Sequence, residues 1–554
     1  MDSPASLMDV PLGIRTVQWI SRKCCPSVRI NKPICYRFLV LILTYLAYTS
    51  YHLSRKPISV VKAVLNQNCS SLEPPPGVFV NSTNKNNWCD WAPFDGQNAS
   101  ALLGTLDSAF LFAYAAAMFV SGFVAERVNL RYFLSLGMIF SGIFCYMFGI
   151  AYSYNIHSIS YLITVQVLGG IAQTTGWPGV VTVVGNWFGE GKRGLIFGIW
   201  NSHTSVGNIL GSLVAGSFVD SDWALSFFVP ALIMAGVGFI IFLFLPAEPI
   251  EVGCPPPERP GSRVNSQYRL LLPNSMHAAS SSPSVQQRSY RRIVNPSNVS
   301  SEEVTSDSEA ETQPEADESN LKDDNALIFE PKAITFFQAL SIPGVIEFSL
   351  SLFFAKLVSY TFLYWLPLYI HNASGAGAEM SADISAIFDI GGIFGGIAAG
   401  AISDSSGMSA TTCAVMLILA VPSLFAYEIW GNLGLRISVP LLIVTGALVN
   451  GPYSLITTAV SAQLGTHPSL EGSSKALATV TAIIDGTGSI GAAVGPLLAG
   501  VISSTGWKNV FYMLMISDVL ALVLLGRLVL MEMRNWLRTR AALQRPHSGG
   551  DWSS

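Results

Sequence analysis

Charged residues are scarce in this sequence. Aspartate, glutamate, lysine and arginine make up 12% of the 554 residues, whereas 50% are hydrophobic. Soluble globular domains are about 25% charged, so this composition excludes an ordinary soluble domain. Many apolar runs exceed the roughly 18 to 20 residues needed to cross a bilayer, which predicts an all-α membrane protein. The net charge of −4 is spread over loops. It argues neither for nor against nucleic acid, and we expect no nucleic-acid partner.

A secretory leader and the motifs of enzymes are also missing. About thirty polar and basic residues precede the first apolar run, which is too long for the core of a signal peptide. We therefore interpret it as a retained first span. The sequence has no Walker loop, no G-x-G-x-x-G in a strand–helix context, no H-E-x-x-H and no G-x-S-x-G elbow in a soluble context. We expect no catalytic residue and no enzyme activity.

Only eight cysteines are present. Cys69 and Cys89 share one polar loop that we place outside the cytosol, which favours a disulfide between them. The other six have no metal-ligand spacing. We therefore expect neither a metal nor a cofactor.

The apolar runs predict twelve spans in two halves of six. The expected domains are a cytosolic N-terminal tail (1–35), a first half (36–246), a linker (247–335), a second half (336–531) and a cytosolic C-terminal tail (532–554). Basic residues before the first span and in the short loops place both termini in the cytosol. The spans lie at about 36–64, 101–125, 131–153, 159–188, 194–218, 223–246, 340–370, 382–403, 410–430, 436–463, 475–503 and 508–531.

The polar loops on the lumenal side of this topology carry glycosylation acceptors. Asn68, Asn81 and Asn98 lie in or just after the loop 66–97, and Asn372 follows span seven. The linker is rich in proline, arginine and serine and then in acidic residues and serine, a composition that cannot fold alone. We expect it to be disordered. Its serines with acidic neighbours are candidate phosphorylation sites, the alternative being a plain solvated linker, and cytosolic partners could bind it.

An internal repeat relates spans five and six to spans eleven and twelve. Seven residues recur 284 positions later within a 21-residue window. Small residues at helical spacing let helices pack closely in lipid. The recurring residues are Gly207, Gly211, Leu213, Ala215, Gly216, Trp223 and Phe227, matched by Gly491, Gly495, Leu497, Ala499, Gly500, Trp507 and Phe511.

Two six-span halves, a long cytosolic linker and a recurring loop pattern resemble the major facilitator superfamily. The loop pattern consists of Glu126, Arg127 and Arg131 after span two and Asp404 after span eight. In that fold the halves rock around a central site. The resemblance implies that ion pairs of these residues latch a gate.

Four shorter motifs stand within or beside the spans: Tyr51-His-Leu-Ser-Arg55-Lys56, Gly176-Trp177-Pro178, Asn186-Trp187-Phe188 with Lys192-Arg193-Gly194, and Trp200-Asn201-Ser202-His203. They resemble one branch of that superfamily, the organophosphate:phosphate antiporters, and in particular the eukaryotic sugar-phosphate exchangers related to the microsomal glucose-6-phosphate translocase. The resemblance implies a secondary active transporter in the endoplasmic reticulum membrane. It would exchange a sugar phosphate, with glucose 6-phosphate expected first, for inorganic phosphate.

Arg55 is the first candidate for binding phosphate. Its guanidinium can donate two hydrogen bonds to a phosphate, and a cation in a long apolar run costs roughly 3 kcal/mol unless it faces a cavity or a counter-ion. The alternative is an arginine that reaches lumenal headgroups. Lys56 points about 100° away on a helix, so its role is substrate binding or structural. Lys356 in span seven is a second buried cation. It lies one turn from Ser359, where the resemblance places an arginine of bacterial relatives.

Other candidates are polar or aromatic residues within spans. His203 falls within a residue of a histidine that bacterial relatives use at the site; the alternative is a histidine satisfied by a neighbouring helix. Asp107, Asp389 and Asp485 could hold the cations until substrate displaces them, or carry protons in a symporter. Asp518 and Glu347 are placed nearer helix ends, with structural roles. The remaining substrate candidates are Tyr51, Trp177, Asn201, Tyr360 and Tyr364, with Tyr48 and Tyr453.

These residues predict small anionic substrates and the lipid bilayer as partners. Two other functions stay open at this point. One is a proton-coupled symporter of another organic anion, and the other is a non-transporting transceptor or scaffold that acts through the linker.

Overall fold

The computed structural model describes residues 10–24, 31–67, 69, 74, 80–81, 85, 88–188, 199–255, 257, 335–465 and 476–543. The described chain is almost entirely helical. Helices α1 to α9 are Leu12–Cys24, Lys32–Arg55, Pro57–Leu65, Ala99–Ala125, Leu130–Ser153, Ile159–Gln173, Gly176–Trp187, Ser202–Val219 and Leu225–Phe244. Helices α10 to α17 are Phe336–Leu340, Val345–Ser374, Ala378–Ser406, Ser409–Trp430, Leu435–Leu455, Ser461–Leu464, Ala476–Ile502 and Trp507–Leu543.

Ten helices among the described residues are long and apolar enough to cross a membrane. The predicted spans 159–188 and 194–218 are not among them. The first is divided into α6 and α7, and α8 carries serine, histidine, threonine and asparagine in its first half. Both segments are helical where they are described, so the all-α membrane fold is as predicted, with ten spans counted in the described part.

The backbone hydrogen bonds of the first span divide it into two consecutive helices. Helix α2 ends at Arg55 and α3 begins at Pro57, while Lys56 between them keeps helical dihedral angles. Proline has no N–H to donate to the preceding turn, which interrupts the hydrogen-bond ladder at this point. Both the predicted phosphate-binding arginine and its lysine neighbour therefore lie at the interruption.

The repeat predicted from sequence gives the two halves equivalent internal packing. In the first half (α2–α9), glycines of α8 lie against the backbone of α2. A Cβ on Gly207 would lie 2.5 Å from the Thr49 carbonyl oxygen, and one on Gly211 would lie 2.8 Å from the Leu53 carbonyl oxygen. In the second half (α11–α17), glycines of α16 lie against the backbone of α11 in the same way. A Cβ on Gly491 would lie 1.9 Å from the Phe353 carbonyl oxygen, and one on Gly495 would lie 2.5 Å from the Leu357 carbonyl oxygen. Both pairs of carbonyls are 304 positions apart. With the same offset, Ser359 in the second half is equivalent to Arg55 in the first, and Lys356 is equivalent to His52.

The halves meet along two helix pairs, α4 with α16 and α8 with α12. Gly104 of α4 approaches Gly500 of α16 near one end, and Gly122 approaches Ala482 near the other. Because α4 and α16 touch at both ends, the space between the halves is closed on both sides along this pair.

Several predicted features fall outside the described residues: nearly all of the linker, the acceptor Asn68, the motif Lys192-Arg193-Gly194 and the C-terminal tail beyond residue 543. Of the other acceptors, Asn81, Asn98 and Asn372 are exposed. A disulfide joins Cys69 to Cys89, the pair expected from their shared loop.

Candidate functional site

Helix α11 organises the charged groups between the halves. Lys356, Tyr360 and Tyr364 follow one another at intervals of four residues and are all buried. Each lies beside a different charged residue. From the start of α11 toward its end these are Asp485, Arg55 and Lys62.

Arg55 is buried between neutral partners. Its Nε donates to Gln173 Oε1 at 2.7 Å, and its Nη1 donates to the Tyr360 hydroxyl, across the boundary between the halves, at 3.2 Å. The Tyr114 ring centre lies 4.8 Å from the guanidinium carbon. Nη2 has no hydrogen-bond partner among the described residues, and neither does the guanidinium have a carboxylate there. Arg55 thus lies in the protein interior and not at lipid headgroups.

Lys356 is paired with a carboxylate of its own half. Its Nζ lies 2.5 Å from Asp485 Oδ1 and 3.3 Å from Ser489 Oγ. The hydroxyl of Tyr114, on α4 of the first half, donates to Asp485 Oδ2 at 3.3 Å. The carboxylate therefore compensates the second predicted cation and links the halves.

Another buried cation, Lys62 of α3, is absent from the sequence-based site. It forms a salt bridge with Asp107 of α4, and both side chains are fully buried. Its Nζ also donates to the Tyr364 carbonyl of the second half at 3.1 Å and lies 4.1 Å from the centre of the Trp365 ring. The signal was a lysine inside the apolar stretch 58–64, which we interpreted as uniformly apolar.

Lys56 and Arg55 point to different partners, as their helical positions predict. The Lys56 ammonium donates to the Leu363 carbonyl at 3.1 Å. It also attracts Asp389 of α12 from beyond salt-bridge distance.

A polar cavity lies beside Arg55, between the two halves. The centre of a water molecule can occupy about 20 Å³ of this cavity. That is enough space for a water molecule but not for a sugar. Tyr360 lines it and connects it to Arg55. The other polar lining residues include His52, Asn201, Asn208, Asp389, Asn450 and Ser454.

A second, mostly apolar cavity of about 30 Å³ adjoins Arg55 on the side of the first half. Gln173 and Tyr364 are among its polar lining residues, and phenylalanines such as Phe110 and Phe148 supply much of the wall. Arg55 is thus the charged residue that both borders this cavity and touches Tyr360 of the polar one.

Several predicted site residues line neither of these cavities. His203 packs among aromatic rings, 4.4 Å from Trp200 and 4.7 Å from Tyr48 between ring centres. Trp177 lies against the same Tyr48 at 5.1 Å, and the Tyr51 hydroxyl bonds to Thr175. This face of α8 turns toward α2 and α7, and neither ring nitrogen of His203 has a hydrogen-bond partner among the described residues. Lys56 and Lys356 also lie outside the linings of these two cavities.

The predicted gate residues lie at one end of the interface between the halves. Thr479 of α16 donates to Glu126 at the end of α4, which therefore contacts the opposite half. Glu126 also lies 3.5 Å from the partly exposed Arg127. Arg131 is buried, and Asp404 is exposed at the end of α12.

Glu251 lies near this end in the short 3-10 helix that follows α9. Burial raises its pKa to about 7, and the nearby Arg131 partly opposes that rise.

Comparisons with known proteins agree with the motifs. The model of the Major Facilitator Superfamily matches residues 93–473. Glucose-6-phosphate exchanger SLC37A2 from Bos taurus is 55% identical over 506 residues, covering 91% of this chain and 96% of the relative. The Homo sapiens protein of the same name is 54% identical, covering 90% and 93%. Glucose-6-phosphate exchanger SLC37A1 from Mus musculus is 47% identical, covering 95% and 96%. The chain therefore belongs to the major facilitator superfamily and, within it, to the same family as these exchangers.

Proposed function

We propose that this multi-pass membrane protein exchanges a sugar phosphate, glucose 6-phosphate first, for inorganic phosphate by alternating access. The names of its relatives support an exchanger of glucose 6-phosphate. The structural observation that carries the proposal is Arg55, a buried guanidinium between the halves with neutral hydrogen-bond partners.

A buried cation without a counter-ion favours an anionic ligand. Lys62 and Lys356 already have their aspartates, so an added anion gains least from them. Arg55 has an Nη2 donor without a partner and a fork of N–H groups that matches two phosphate oxygens. A phosphate that replaced these neutral partners would give the Arg55 guanidinium a full negative charge in place of two dipoles.

The shared phosphoryl group accounts for exchange. Glucose 6-phosphate and inorganic phosphate present the same group to Arg55, so one site serves both. The contact between Arg55 and Tyr360 joins the two halves, and binding at this point biases the equilibrium between open and closed arrangements.

The membrane orientation follows from the basic loops. With both termini in the cytosol, α11 begins on the cytosolic side, so the Lys356–Asp485 pair lies on the cytosolic side of Arg55 and the Lys62–Asp107 pair on the lumenal side. Glu126 and Thr479 then close the cytosolic end, and the acceptors Asn81, Asn98 and Asn372 face the lumen. We place the protein in the endoplasmic reticulum membrane and its linker in the cytosol.

Arg55→Ala tests the proposal. In proteoliposomes loaded with phosphate, the variant is expected to lose uptake of both labelled phosphate and labelled glucose 6-phosphate, because both need the guanidinium. Arg527→Ala is the matched control, since Arg527 is 75% exposed and paired with Glu347 on the protein surface. Exchange retained by Arg55→Ala would remove Arg55 from its role.

Asp518 favours the proton-coupled alternative. It lies well inside α17 rather than near its end as expected, is buried, and its Oδ2 has no hydrogen-bond partner among the described residues. Uptake into phosphate-free liposomes that is driven by an inward proton gradient and lost in Asp518→Asn would support symport instead of exchange.

A further inference from the structure

We propose that the polar cavity between the halves binds the hydroxyl groups of the sugar, with Asp389 as the principal acceptor. By this contact the protein distinguishes a sugar phosphate from inorganic phosphate. The inference rests on the proposed exchange function and assigns the part of the site that does not hold the phosphoryl group.

A hydrogen-bonded chain crosses the halves at this cavity. His52 Nδ1 lies 3.0 Å from Asn208 Oδ1, and Asn208 Nδ2 donates to Asp389 Oδ1 at 2.8 Å. Because the Asn208 amide donates to the carboxylate, its oxygen accepts from His52, and Nδ1 of that ring carries the proton. In neutral histidine the other nitrogen, Nε2, is then an acceptor.

Two buried acceptors at this cavity have no partner. They are His52 Nε2 and Asn201 Oδ1, neither of which has a hydrogen-bond partner in the described part of the chain. An unsatisfied buried polar atom destabilises the protein, so a ligand that donates to it is favoured. Together with the Asp389 carboxylate, the lining offers acceptors to a ligand that carries several O–H donors.

This chemistry selects against a phosphate in the cavity. A phosphate dianion has little to donate to these acceptors, whereas sugar hydroxyls can donate to all three. The guanidinium of Arg55 has the opposite character, with donors only. Tyr360 joins the two regions, because its hydroxyl accepts from Arg55 while the residue lines the cavity. A ligand with an anionic end and a polyol end matches this arrangement.

Glycine residues keep the wall of α12 close to these polar groups. A Cβ on Gly392 would lie 2.7 Å from Asn450 Nδ2 and 3.0 Å from Ser205 Oγ. The lining comes from both halves, so the present volume of about 20 Å³ must widen as the halves separate. Sugar binding at this position is thereby linked to closure.

The experiment compares two substrates in one preparation of full-length protein. Wild type, Asp389→Asn and Asn201→Ala are reconstituted, and KM is measured for phosphate and for glucose 6-phosphate against internal phosphate. We expect Asp389→Asn to raise the ratio of the glucose 6-phosphate KM to the phosphate KM by about tenfold or more, the loss of a hydrogen bond to a charged group. Asn201→Ala should raise the ratio by a smaller factor. Asp383→Asn, an exposed aspartate on the same helix, is the matched control.

Deoxy analogues of glucose 6-phosphate provide a second measurement, which can be made on the wild-type protein without any variant. At least one should have a KM about tenfold above that of the parent, and Asp389→Asn should reduce that difference. Equal effects of Asp389→Asn on both KM values, or equal KM values for all analogues in wild type, would overturn the inference. Absence of phosphate exchange in wild type would instead contradict the proposed function.

Discussion

The two buried lysine–aspartate pairs differ in how they reach the opposite half. In Lys62–Asp107 the lysine donates to a backbone carbonyl, that of Tyr364. In Lys356–Asp485 the aspartate accepts from a side chain, the Tyr114 hydroxyl, and the lysine lies 5.6 Å from the ring centre of Tyr453 in the polar cavity wall. The first pair contacts the opposite half through a backbone carbonyl and the Trp365 ring. The second lies beside Tyr114, which faces Arg55, and Tyr453, which lines the polar cavity.

This difference separates structural support from substrate binding. A lysine paired with aspartate is neutral as a unit and can bind an anion only if the aspartate releases it. Of the two predicted cations, Arg55 and Lys356, only the second has a carboxylate partner among the described residues in this conformation. We expect Lys356 to contribute to anion binding only if Asp485 moves away from it.

Removing the lysine of either pair should produce the largest loss of stability. Lys62→Ala leaves Asp107 buried without its counter-charge, which typically costs about 3 to 5 kcal/mol, and Lys356→Ala does the same to Asp485. We expect both variants to lower the midpoint of thermal unfolding in detergent. The double variants Lys62→Met/Asp107→Leu and Lys356→Met/Asp485→Leu should recover it, because apolar replacement of a buried pair is often neutral.

Transport then distinguishes the pairs. The double variant at Lys62 should recover phosphate exchange, whereas the double variant at Lys356 should fold and remain inactive. Recovery of exchange in both would show that Lys356 has only a structural role.

Tyr114→Phe should have a smaller effect. It removes one hydrogen bond between the halves, worth about 1 kcal/mol, and keeps the ring beside Arg55. Since the bond is made when the halves are closed, we expect the maximal exchange rate to fall by up to about fivefold. Tyr154→Phe, at a 76% exposed tyrosine, controls for loss of a hydroxyl. A complete loss of exchange in Tyr114→Phe would mean that the hydroxyl contacts the substrate directly.

Glu251 gives the smallest effect and shows how a carboxylate behaves without a lysine in direct contact. Its pKa is raised to about 7, mainly by burial. The folded protein therefore holds this proton more tightly than the unfolded chain, and the stability it contributes falls as pH rises toward 7. Glu251→Gln should flatten the decline in unfolding midpoint between about pH 5 and 7. An unchanged pH profile would contradict the raised pKa.

Sequence reasoning predicted most of the spans and the interior position of Arg55, because lipid constrains both strongly. Apolar length and an arginine in an apolar run are local signals. The partners of the charges are not local: Lys62 finds Asp107 on another helix, and Asn208 joins His52 to Asp389 across the halves. His203 was placed on the correct helix, but its face could be known only from the packing of α8 against α2 and α7.

The interruption at Pro57 gives the two parts of the first span separate anchors. Gly207 and Gly211 hold α8 directly against the backbone of α2 up to Leu53, whereas α3 reaches α11 through Lys62. Arg55 belongs to the clamped part and Lys62 to the part beyond it. The nine residues of α3 and the arginine are therefore held by different contacts. We expect loss of the Lys62 contacts to loosen this segment before it displaces Arg55.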